Sequence, residues 1–113
     1  MYVMFAGFLH GAAMVAPAGV QAGEFATLAE PWLAAMTSAF AGFAEVVDGG
    51  DYTVPGQQSL EFSDLAKMVD ASAAQGIGTE VIGMVQTLIR RQIDAGHGAE
   101  GFARIYESIR VPA

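Results

Sequence analysis

The chain opens on MYVMFAGFLHGAAMV, and no residue is charged before Glu24. Apolar side chains stand on every face of the helix this stretch predicts, among them Val3, Met4, Phe5, Phe8, Leu9 and Met14. A helix that is apolar all round is covered all round. Pro17 and Gly19 punctuate it after about 16 residues, short of the roughly 20 that span a bilayer. Gly7 and Gly11, four apart, allow another helix to approach closely. Further on, EFATLA at 24–29 reads as a short helix, and Pro31 opens the next, where its missing N–H costs nothing. Leu33, Met36, Phe40, Phe43 and Val47 follow at spacings of three and four, one amphipathic stripe that Gly49 and Gly50 end. GGDYTVPGQQ is a turn-rich loop. Leu65, Met68, Val69 and Ser72 mark a helix that stops near Gly76. Thr79 is placed to cap another, with Val81, Ile82, Val85, Leu88, Ile89 and Ile93 on its face. Arg90 and Arg91 suit the negative end of its dipole. GHG at 96–98 breaks the chain, and Phe102, Ile105 and Ile109 form a last amphipathic helix. There is no strand pattern, fixed-period repeat or low-complexity linker. The expected fold is all-α, one domain over residues 1–113, a bundle of about five or six helices.

Composition sharpens this picture. Of the 113 residues 53% are hydrophobic and only 15% charged. A domain of this size has too little interior for so much apolar surface, so part of it is expected to meet another chain. The first helix is therefore read as wrapped by others, some from a second subunit, which points to a homodimer through apolar helices. Net charge is −7 with five Lys and Arg, which argues against nucleic acid and against an anionic membrane surface. There is no cysteine, so neither a disulfide nor a thiolate metal site is expected, and a cytoplasmic location fits. APAGVQA imitates a small-residue cleavage site, but no basic segment precedes it. With no capping residue ahead of Met1, the chain reads as starting inside a helix whose earlier turns are missing.

Candidate chemistry is sparse. His10 lies on the apolar helix and is read as a structural histidine with one hydrogen bond, His97 as a turn residue. No HExxH or Glu-x-x-His pattern accompanies either, so no metal is expected. GHGAEG is glycine-rich and opens a helix, as phosphate sites do, yet it follows a helix rather than a strand. Glu61 and Asp64, three apart, would share a helix face, more as solvated surface than as an acid–base pair. Leu60 and Phe62 flank Glu61. Trp32 follows Pro31 beside the Leu33/Met36 stripe, where a Trp serves as core or as a pocket wall. Tyr2 carries a phenol on the apolar helix, and a covered phenol needs a partner.

Four stretches in order, MYVMFAGFLHGAAMV, GEFATLAEPWLAAM, LAKMVDASAAQGI and RRQIDAGHGAEGFARIYE, resemble the C-terminal helical domain of imine reductases and reductive aminases. The resemblance covers nearly the whole chain and rests on order and spacing, closed by AGHGAEGFA. That family is similar to the 6-phosphogluconate and β-hydroxyacid dehydrogenases. It implies an NADPH-binding Rossmann domain ahead of a helical bundle, with two subunits intertwined and hydride transfer to C=N giving amines. The opening stretch would then be the end of an interdomain helix buried in the dimer, and the Rossmann domain would be absent from this chain. By the same resemblance Tyr2, Trp32, Leu60 and Glu61 line the pocket for a small imine or amine, with Tyr2 in an assisting role. No catalytic residue is expected within the chain, and this portion alone is expected to be inactive. Two other readings stand beside it: a helical association module without catalysis, and a β-hydroxyacid dehydrogenase-like enzyme acting on C=O. A membrane-associated fragment is the weakest.

Overall fold

In the computed structural model, which describes residues 1–112, six α-helices follow one another, with short turns between most of them and longer connections over 50–65 and 93–104. They are α1 (Tyr2–Val15), α2 (Ala22–Met36), α3 (Ala39–Gly49), α4 (Ala66–Ala74), α5 (Glu80–Gln92) and α6 (Ile105–Arg110). A 3-10 turn over Ala16–Ala18 and Gly19 in the left-handed region end α1. Gly50 ends α3 the same way, at φ 71°. The all-α class and the helix number are those the periodicity predicts.

Two boundaries differ from the expectation. The short helix at 24–29 and the new one at Pro31 are a single helix, α2, with Pro31 inside it. Pro31 withholds one N–H from the ladder, but the neighbouring Ala29, Leu33, Ala34 and Ala35 include the strongest helix formers, and the helix continues. Conversely, the single stripe from Leu33 to Val47 is cut in two at Thr37 and Ser38. Their hydroxyls donate to the carbonyls of Ala34 and Ala35 at 2.8 and 3.0 Å, and their backbone N–H groups reach only three residues back. Such back-bonding tightens and bends a helix.

The core sits in the second half. Ile82 and Ile89 of α5 are buried together with Tyr52, Leu60 and Ala103, and α5 packs against α6, α4 and α1. Ser72, Gln92 and Ser108 are buried beside them and hydrogen-bonded. By contrast α1, α2 and α3 contain no buried residue. The ring of Phe8 stacks on Phe25 at 5.4 Å, and Gly11 makes room for it: a Cβ there would lie 2.6 Å from the Phe25 ring. Gly7 faces open space. The molecule is elongated, 44 × 28 × 22 Å, with a radius of gyration of 15.3 Å, where a compact chain of this length gives about 13 Å. No helix among the described residues is long and apolar enough to cross a membrane.

Candidate functional site

The four expected pocket residues fall into two groups, on separate elements, that no hydrogen bond joins among the described residues. The first group is on α1 and α2. A hollow of about 720 Å³ lies between these helices, walled by Met4, Phe8, Phe25, Leu28, Trp32 and Leu33. Its lining is almost wholly apolar. Trp32 stands at its edge, 63% exposed. Tyr2 is 79% exposed and meets the edge of Phe5 at 6.5 Å. The helix expected to be covered on all sides is exposed over most of its first half and partly buried from His10 to Val15 in the single chain, and the Tyr2 phenol has no partner among the described residues. His10, half-buried, reaches Ser72 Oγ at 3.0 Å. That hydroxyl also lies 2.9 Å from the Met68 carbonyl and 3.3 Å from Met14 Sδ, and His10 pins α1 to α4 as its structural reading expects.

The second group is Leu60 and Glu61. They are not helical. Gln58 and Ser59 approach Gly101 and Phe102 through a single antiparallel bridge, Ser59 to Gly101, and Leu60–Ser63 then form a turn against the turn at 98–100. The Leu60 N–H donates to the Glu100 carbonyl at 2.9 Å and the Glu61 N–H to the Gly98 carbonyl at 3.0 Å. Gly101 and Phe102 N–H groups donate to the Tyr52 and Gln58 carbonyls, both at 2.9 Å. Two glycines lie close under side chains: a Cβ at Gly98 would lie 2.5 Å from Glu61 Oε1, and one at Gly101 2.5 Å from Gln57 Oε1, so a side chain at either would push its neighbour aside. Leu60 is 0% exposed, so its side chain belongs to the core and offers a substrate no surface in this chain. Glu61 is exposed, and no side-chain hydrogen bond or ion pair engages its carboxylate among the described residues.

Asp64 does not share a helix face with Glu61. It sits ahead of α4, where it accepts from the Ala66 N–H at 2.9 Å, from Gln86 Nε2 at 2.6 Å and from Arg90 at 3.4 Å. These donors, the Ala66 amide foremost, hold its carboxyl below the ordinary value of 3.8. A carboxyl lowered by folding stabilises the fold above its unfolded pKa and loses that contribution as pH falls through the folded value. Asp64→Asn is therefore expected to flatten the fall in stability below about pH 4. Urea midpoints at pH 6 and pH 3 check it; an unaltered pH dependence counts against Asp64.

Between the two chain segments lies a polar network that residue types alone did not single out. His97 Nδ1 bonds the Glu100 carboxylate, and Arg104 donates to Glu100 Oε1 at 3.2 Å and to His97 Nε2 at 3.0 Å. Arg104 also donates to Gln92 Oε1 at 2.9 Å and lies 5.2 Å from the centre of the Tyr52 ring. Tyr52 donates to Glu107 at 3.0 Å. Burial, then this bond, raises the Tyr52 phenol, while Arg110 and Tyr52 lower Glu107. The signal in the sequence was the spacing of His97, Glu100 and Arg104, three and four apart. GHGAEG holds no phosphate here: the Glu100 and Gly101 amides are already taken by the His97 and Tyr52 carbonyls, and the Glu100 carboxylate would repel an anion.

Residues 1–111 match the profile of the NADPH-dependent reductive aminase-like C-terminal domain. The chain belongs to the reductive aminase-like family. Among its relatives, the NADPH-dependent reductive aminase of Aspergillus oryzae is 30% identical, over 98% of this chain and 39% of its own length. A reductive aminase from Aspergillus terreus, solved in complex with NADPH4, cyclohexanone and allyl amine, is 37% identical with a TM-score of 0.88, covering 97% of this chain and 39% of that one. An imine reductase from Pseudomonas sp. shares the fold, with a TM-score of 0.84 at 21% identity. The chain thus spans 39% of the length of the reductive aminases it matches.

The reductive aminase-like residues present here do not by themselves fit a dinucleotide. Arg90, Arg104 and Arg110 are ion-paired and Arg91 donates to the Ser108 carbonyl, leaving Lys67 as the remaining cation for the phosphates. No cluster of three or more His, Asp or Glu side chains suited to a metal occurs among the described residues.

Proposed function

We propose that the chain is the pocket-forming, self-associating helical part of an NADPH-dependent enzyme that reduces C=N bonds to amines in the cytoplasm. The observation that carries this reading is the match along 97% of the chain to a reductive aminase solved with NADPH4, cyclohexanone and allyl amine. The substrates are then a small carbonyl compound and an amine, or the imine they form. NADPH, held outside these residues, is the hydride source. The chain contributes shape and hydrogen bonding. Trp32 and the apolar hollow beside it exclude water from the substrate's hydrocarbon. Tyr2 presents a phenol able to donate to, or accept from, the substrate nitrogen. Glu61 faces the same substrate from the second group. A second copy laid on α1 and α2 covers their apolar surface and closes the site, which is why the two groups stand apart in one chain.

The test is amine-dependent oxidation of NADPH by the protein that carries this chain, with cyclohexanone and allyl amine. Tyr2→Phe and Trp32→Ala are each expected to lower kcat/KM about tenfold, equivalent to about 1.4 kcal/mol, with the mass in light scattering unchanged. Unaltered kinetics in both would remove them from the site. Absence of NADPH oxidation across ketone–amine pairs would sink the reading itself.

A further inference from the structure

The turn at 97–101 is built far more firmly than a surface connection needs. Gly96 takes φ 97°, the conformation only glycine adopts freely. His97, Glu100 and Arg104 then close on one another, His97 through both ring nitrogens. Arg104 is always a donor, so His97 Nε2 must accept and its Nδ1–H must donate to Glu100. That bonding fixes the ring, and with it the two carbonyls on either side of the turn. Those of Gly98 and Glu100 receive the Glu61 and Leu60 N–H groups. Leu60 anchors the segment from beneath. Glu61 lies across the bare Cα of Gly98, with its carboxylate engaged by no other residue described.

We propose that His97, Glu100 and Arg104 are positioning residues, whose mutual bonding holds the backbone of residues 58–61 and so places the Glu61 carboxylate for the amine partner. The inference rests on Glu61 being a substrate residue, as proposed above. None of the three needs to touch the substrate; each acts through the turn carbonyls.

The test uses the whole protein and two readouts. His97→Ala removes one member without emptying the core, since its side chain is partly exposed. It is expected to speed amide hydrogen exchange at Leu60 and Glu61 about tenfold. It is also expected to raise the amine KM about tenfold with kcat and the NADPH KM kept. His97→Gln, which can still donate and accept, should restore both. In a Glu61→Ala background the His97 substitution should add nothing further to the amine KM. Unchanged exchange at Leu60 and Glu61 in His97→Ala would overturn the clamp, and additive KM effects would overturn its action through Glu61. If Glu61→Ala alone leaves the amine KM unaltered, the substrate role of Glu61 falls and the positioning proposal falls with it, while the exchange data report separately whether the turn is clamped.

Discussion

A chain with aspartate at both Leu9 and Leu28 is expected to stay folded and to lose self-association. These leucines are 64% and 72% exposed, so in a single chain a charge there remains in water and leaves the core around Ile89 untouched. In the pair proposed above they would lie under the second copy. Each leucine covered contributes about 2 kcal/mol, and an unpaired carboxylate in its place adds the cost of desolvation. Two such sites weaken the dissociation constant by about a thousandfold or more. Light scattering across a dilution series reads this directly, with circular dichroism reporting whether the helices persist. A variant that associates as tightly as the parent would show that α1 and α2 are not the interface. Restoration of the monomer by charge should also abolish amine-dependent NADPH oxidation, because the site is then open.

Leu60→Ala is expected to have the largest effect on the fold. Leu60 has no exposed surface, and truncating a leucine in such a place costs about 2–5 kcal/mol. Against a total of about 5–15 kcal/mol for a domain, that is a large share. The melting temperature should fall by about 15 °C for a loss of about 3 kcal/mol. Leu28→Ala, measured under dilute conditions where the chain is alone, should cost under about 1 kcal/mol, since it removes little buried surface. Equal losses at the two positions would mean that the core is not where Leu60 and Ile89 place it. Leu60→Met, which conserves volume, should recover most of the stability.

Local pattern revealed the helices whose signals are local. The α5 face from Val81 to Ile93 reads off its period, as do the glycine stop after α3 and the break at Gly96. Two boundaries defeated it for opposite reasons. Pro31 is a strong local stop, but one lost hydrogen bond is small beside a helix with alanines on both sides. Thr37 and Ser38 are weak local signals, yet their hydroxyls compete for the carbonyls behind them and bend the chain. The candidate site was legible only in part. Leu60 points inward and Glu61 outward from a turn whose backbone partners, Gly98 and Glu100, are some forty positions away in the chain. Nothing in a local window shows that pairing. Residue chemistry marked Tyr2 and Trp32 as candidates and the resemblance assigned them to a pocket, while periodicity placed them on helices without telling whether those helices are covered within the chain.

The uneven placement of the core divides the molecule by what its residues answer to. From Tyr52 to Ser108, a change at Leu60, Ile82 or Ile89 meets neighbours in the same chain, and a compensating change must arise there too. In α1 and α2 no residue is buried, so a change at Leu9 or Leu28 has no interior neighbour to accommodate it. On the proposed association its counterpart lies on another copy of the same sequence. A single substitution then alters both sides of the contact at once, and positions in α1 and α2 should vary together in ways that distances within one chain do not explain.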